Sequence, residues 1–78
     1  MYYVYLLELR NKTKYTGFSS SLKNRIKDHI NGYVSQTKNL RSIKLIFYAA
    51  FENKLKALNF EKYLKTPSGF AFRNKRLI

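Results

Sequence analysis

Apolar and polar positions along this chain fall into runs separated by polar punctuation, and the runs set out its elements. Residues Tyr2 to Leu9 (YYVYLLEL) place aromatic and aliphatic side chains on both alternating faces, which is the pattern of a strand covered on both sides. Arg10 to Thr13 is a polar turn, and Lys14 to Phe18 (KYTGF) returns as the second strand of a hairpin. Gly17 within that strand marks a bulge or a close backbone approach. Ser19, Ser20 and Ser21 offer helix caps, after which Leu22, Ile26, His29, Ile30 and Tyr33 recur at helical spacing, with Gly32 as a C-terminal stop. The loop Val34 to Arg41 is polar and basic. Ile43 to Phe51 (IKLIFYAAF) reads as a long strand. Asn53 caps a second helix running to about Lys65, which Thr66-Pro67 ends because the residue before proline avoids helical geometry. The tail from Ser68 to Ile78 forms a short last helix with Phe70, Phe72 and Leu77 available for packing.

This order predicts an α+β domain spanning residues 1–78, with a three-stranded antiparallel sheet flanked by helices in the order strand-strand-helix-strand-helix-helix. The hairpin register decides how its tyrosines relate. A four-residue loop at 10–13 puts Tyr5 and Tyr15 on opposite faces, whereas an odd-length loop or a bulge puts them together.

The two long helices carry polar residues where apolar ones are expected. With Leu22 at 0° and about 100° per residue, Ile26 falls at about 40°, Ile30 at about 80°, His29 at about 340° and Arg25 at about 300°. Arg25 and His29 therefore border the buried stripe together, one turn apart, where both could aim at one phosphate. On the second helix Glu61 lies within the arc formed by Ala57, Leu58, Phe60 and Leu64. A carboxylate there costs several kcal/mol unless it is paired, hydrogen-bonded or bound to a metal. An ion pair with Arg25 or a lysine is one solution. A single hard cation held by one carboxylate, waters and a substrate phosphate is the other.

Composition narrows the chemistry further. The chain has 78 residues, 16 Lys and Arg against 4 acids, one His and no Cys, for a net charge of +12. That excludes disulfides and a structural zinc centre, and it favours a polyanionic partner, nucleic acid first. Nothing approaches a membrane span or a signal peptide, so a cytoplasmic location is expected. With so few acids, paired-carboxylate two-metal chemistry is disfavoured. The 7 tyrosines pack by default, but a phenol becomes a general base where a nearby cation or metal lowers its pKa.

The sequence resembles the GIY-YIG nuclease superfamily, in particular small stand-alone bacterial members related to the nuclease domain of the excinuclease C subunit. Tyr3-Val4-Tyr5 is similar to the GIY element and Tyr15-Thr16-Gly17 to the YIG element, with Tyr3 in place of the first Gly and Thr16 in place of Ile. The helices carry Leu22-x-x-Arg25-x-x-x-His29 and Ala57-Leu58-x-x-Glu61-x-x-Leu64-Lys65, followed by a basic tail. The resemblance covers nearly the whole chain. It implies phosphodiester cleavage in DNA, with low sequence specificity, by one Mg²⁺ or Mn²⁺ held by Glu61. It also implies Tyr5, or second to it Tyr15, as general base or water-orienting group, Arg25 as the group that stabilises charge on phosphorus, and His29 as a hydrogen-bonding partner of a tyrosine or phosphate. A late Asn of the family corresponds to Asn74 or Asn59. Lys14, Lys38, Arg41, Lys44, Arg73, Lys75 and Arg76 would contact phosphates. The alternative is a catalytically inactive nucleic-acid-binding module, and behind it an RNA- or ribosome-associated protein without chemistry.

Overall fold

In the computed structural model, which describes residues 1–40 and 42–78, the elements follow the predicted order: β1 (Tyr2–Glu8), β2 (Lys14–Ser19), α1 (Leu22–Ile30), β3 (Lys44–Phe51), α2 (Lys54–Leu64) and α3 (Pro67–Arg76). The expected phosphate contact Arg41 lies outside the described residues. The three strands form one antiparallel sheet with β1 at its centre, in the order β2-β1-β3. Because β1 is paired on both edges and covered on both faces, Val4, Tyr5, Leu6 and Leu7 are all fully buried.

Alternation along β1 divides the packing into two clusters. The even face carries Val4 and Leu6, which pack against Ala57 and Leu64 of α2 together with Phe18, Phe47, Phe51, Phe60 and Leu77. The odd face carries Tyr5 and Leu7, which with Leu9 pack against Leu22 and Ile26 of α1, Tyr15, Leu40 and Ile43. Between Leu6 and Leu7 the β3 register slips, so that Leu6 opposes Phe47 while Leu7 opposes Leu45. This bulge at Ile46 lets Ile46 and Phe47 both join the α2 side.

The hairpin takes the register that an odd-length connection dictates. Glu8 opposes Lys14, Leu7 opposes Tyr15 and Tyr5 opposes Gly17. The turn closes through Leu9 N–H to Thr13 O at 2.9 Å and Lys12 N–H to Leu9 O at 2.9 Å, with Lys12 in the left-handed region at φ 69°. Leu9 thus belongs to the turn rather than the strand, and the four-residue loop that would separate the tyrosines does not form. Tyr5 and Tyr15 share the odd face.

The helix ends are set locally. Gly32, at φ 79°, closes α1 with two bonds, Gly32 N–H to His29 O and Tyr33 N–H to Asp28 O. This ends α1 before Tyr33, which is exposed, and leaves Ile30 54% exposed instead of on the buried stripe. Asn53 caps α2 through its side chain to Lys56 N–H at 3.0 Å. Thr66 both follows α2 and caps α3, accepting from Gly69 N–H at 3.1 Å, with Pro67 in the first turn. Gly69 is pressed so closely on the end of α2 that a Cβ would overlap the Tyr63 carbonyl and Leu64 Cα. The buried positions of α3 are consequently Gly69 and Arg73, while Phe70 and Phe72, expected to pack, are 52% and 38% exposed.

Candidate active site

Tyr5 is the centre of the site, and its position follows from the hairpin. Its ring lies over Gly17, where any Cβ would overlap Cζ and the hydroxyl, so the close approach that Gly17 signalled is to an aromatic ring. Tyr15 stands beside it with ring centroids 6.4 Å apart. His29, fully buried on α1, meets both rings edge-on, at 5.7 Å from Tyr5 and 5.0 Å from Tyr15.

These rings are tied by a directed chain of hydrogen bonds. Thr37 Oγ1 donates to Val34 O at 3.4 Å, so it accepts from His29 Nδ1–H at 2.8 Å. That tautomer leaves His29 Nε2 as an acceptor for the Tyr5 hydroxyl at 2.9 Å. Burial, reinforced by the positive charge of Arg25, pushes the His29 pKa below its ordinary value and keeps the ring neutral, as this chain requires. Thr37 is fully buried, yet nothing in its polar loop distinguished it in the sequence: the signal is tertiary.

Arg25 joins the same cluster. Its guanidinium lies close enough to the phenols, Tyr5 foremost and Tyr15 as well, that they raise its pKa and hold it in the charged form against partial desolvation. Burial pushes the Tyr5 phenol up to about 12, and the nearby Arg25 only partly offsets this. Tyr5 is therefore a neutral, fully buried donor to His29. Tyr15 is only partly buried and lines a concavity of about 310 Å³ with Lys14, Lys65 and Arg73. It is the more exposed of the two phenols.

Glu61 is carried by α2, near enough for its negative charge to contribute to raising the Tyr5 pKa. The side chain is 20% exposed and pairs with Lys65 at 3.2 Å, one helical turn on. Of the ion-pair solutions open to Glu61, the lysine pair forms. Lys65 is itself 57% exposed, so the pair is solvent-screened and yields readily to a competing cation. Glu61 borders a concavity of about 430 Å³ with Asn59 and Lys62. No group of three or more His, Asp or Glu side chains able to cage a metal occurs among the described residues. One half-buried carboxylate with a weakly held lysine fits a single hard cation that keeps most of its waters.

The basic residues divide. Lys38, Lys44, Lys75 and Arg76 are exposed. Lys14 is largely buried and already paired with Glu8 at 3.4 Å. Arg73 is only 7% exposed, so it is not the solvated tail charge that the sequence suggests. Its Nε and Nη2 donate to Asn74 Oδ1 at 3.2 and 3.1 Å, its guanidinium sits 4.3 Å over the Phe70 ring, and burial lowers its pKa. Asn74 is thereby engaged with Arg73, while Asn59 is exposed beside Glu61.

Comparison with known proteins extends this geometry. The family description "GIY-YIG catalytic domain" matches residues 1–76. A UPF0213 protein of Clostridium perfringens is 39% identical over 78 residues, covering 99% of this chain and 80% of that protein. A UPF0213 protein of Staphylococcus saprophyticus is 32% identical over 77 residues, covering 97% of this chain and 89% of its own. The solution NMR structure of a UPF0213 protein from Bacillus halodurans superimposes with a TM-score of 0.61 at 30% identity, over 96% of this chain and 82% of that one.

Proposed function

Since the chain belongs to the GIY-YIG catalytic-domain family, we propose that it is an endonuclease that hydrolyses phosphodiester bonds in DNA with the help of one divalent cation. The observation that supports this most is that Arg25, Tyr15 and Glu61 all act electrostatically on the buried Tyr5, which is bonded to His29. A pure binding module has no use for a half-buried glutamate beside clustered phenols and a guanidinium.

In this reading each residue has a distinct task. Arg25, beside the Tyr5 and Tyr15 phenols, presents its donors to the scissile phosphate and neutralises charge that develops there. Tyr15 orients the attacking water through its phenol oxygen. Tyr5 and His29 do not touch substrate; they fix the guanidinium and exclude water behind it. Glu61 would hold Mg²⁺ or Mn²⁺ after giving up Lys65, and the bound cation would supply charge neutralisation at the phosphate and the leaving oxygen. Lys65, released, is free to meet a phosphate. Lys38, Lys44, Lys75 and Arg76 supply backbone contacts that carry no base readout, which is why sequence specificity is low.

The test is nicking of supercoiled plasmid by wild type and Glu61→Ala, with Mg²⁺, Mn²⁺ or EDTA, beside a DNA-binding titration. Nicking that needs the cation and disappears in Glu61→Ala with binding retained establishes the reading. Binding without nicking under every cation leaves an inactive binding module, with Glu61–Lys65 as a structural pair.

A further inference from the structure

α1 covers the odd face of the sheet over β1 and β2 but leaves β3 open, so that Leu45 and Tyr48 are 38% and 54% exposed. Between the far flank of α1 and this part of β3 lies a concavity of about 610 Å³, larger than the one beside Glu61 and of a size that holds small ligands. Its floor is apolar and aromatic, with Tyr3, Leu45 and Tyr48, and its rim on α1 carries Lys23 and Lys27. It contains no acidic residue.

Three features indicate what it takes. The Tyr3 and Tyr48 rings lie 6.4 Å apart at 59°, tilted rather than stacked, so that Tyr48 keeps a large open surface. Lys23 and Lys27 stand one helical turn apart, and two like charges at this spacing repel each other. The ion pairs among the described residues involve only Glu8 and Glu61, so neither lysine is paired with an acid of this chain there. At the same rim the N-cap Ser21 makes no side-chain capping bond and the first turn of α1 has no acid, which leaves amide donors and an uncompensated positive helix end.

We propose that this concavity binds an unpaired nucleotide, its base stacked on Tyr48 and its phosphate held between Lys23 and Lys27. A flat π-surface and an anion on one ligand satisfy the floor and the rim together. A paired base offers no free face, so the site selects single-stranded segments. A second copy of a chain with net charge +12 would bring like charge to the lysines instead. Lys23 and Lys27 lie on the flank of α1 opposite Arg25, about 10 Å across the helix, so the pocket is separate from the site around Tyr5. The substrate it points to carries a single-stranded segment near the cut. This inference rests on the nucleic-acid reading above, but not on cleavage.

The experiment is an NMR titration of ¹⁵N-labelled protein with a thymidine trinucleotide and with the same trinucleotide lacking its central base, without divalent cation. The expected shifts fall at Lys23, Lys27 and Tyr48. Tyr48→Ala is expected to weaken binding about tenfold, the size of one lost base stack, while Tyr48→Phe retains it and the abasic ligand binds wild type as weakly as the variant binds the normal one. Lys23→Gln with Lys27→Gln steepens the loss. Unchanged affinity in Tyr48→Ala, shifts confined to Tyr15, Arg25 and Glu61, or a wild-type dimer in sedimentation that Tyr48→Ala dissolves would each overturn the proposal. Because the titration needs no cleavage, a failure of plasmid nicking removes the nuclease reading alone.

Discussion

The Tyr5 hydroxyl and His29 Nε2 lie 2.9 Å apart, both residues fully buried, in a bond that joins the central strand to α1. Through it the loop residue Thr37 fixes the His29 tautomer, His29 takes the Tyr5 proton as a hydrogen bond, and the Tyr5 oxygen faces the positive charge of Arg25. The order of this chain yields the first expectation. Tyr5→Phe should destabilise the fold by about 1–3 kcal/mol, because it leaves the buried His29 Nε2 acceptor without its donor. Urea unfolding measures it, and a change below 0.5 kcal/mol, about the scatter of an exposed substitution, would show that the bond contributes little.

Gly17→Ala should disturb the same residue from the other side. The added methyl overlaps a ring that has no room to swing away from its packed position between β2 and α1. A cost of about 1–3 kcal/mol or more is expected from overpacking, with loss of nicking because Tyr5 no longer holds Arg25. A variant as stable and active as wild type would place the ring elsewhere.

The titration of His29 gives a pH dependence of known sign. Its folded pKa is depressed below the ordinary 6.5 by burial and by Arg25, so the unfolded chain binds the proton first as pH falls. Stability should be constant above that value and decline as pH drops from 6.5 through the folded pKa, then level off for this group. The difference between wild type and His29→Gln in urea midpoints from pH 8 to pH 5 reads it, and parallel curves would contradict a buried neutral histidine.

Tyr5 responds at the opposite end of the scale. Its pKa stands at about 12 against an ordinary 10.0, so the unfolded state ionises first and stability should fall above pH 10. Phenolate absorbance in wild type minus Tyr5→Phe should show one tyrosine titrating later than the rest. An early transition for that residue would contradict its desolvation in the folded state.

Phosphate contacts should separate by their present engagement. Neutralising exposed Lys75 or Arg76 should lower the salt slope of DNA binding by about 0.9 for each contact. Lys14→Gln should change it less, because Lys14 is already neutralised by Glu8. Equal effects would mean that the Glu8 pair opens on binding.

Much of this protein was legible in its sequence because the relevant signals are local. Period-two and period-3.6 patterns gave the strands and helices, Gly32 and Asn53 marked helix ends by their own backbone and side-chain chemistry, and the wheel brought Arg25 next to His29 and set Glu61 against the core. The tertiary structure decided what depends on register and on partners far along the chain. A five-residue connection instead of four turned Tyr15 onto the face of Tyr5, since one residue of slip inverts every side chain of a strand. Packing of α3 through Gly69 buried Arg73 and turned Phe70 outward, against the preference of each side chain taken alone. Thr37 reached His29 only because the loop folds over α1. Desolvation, which is a property of the whole fold, then fixed Tyr5 as a neutral donor and left Tyr15 facing the cleft.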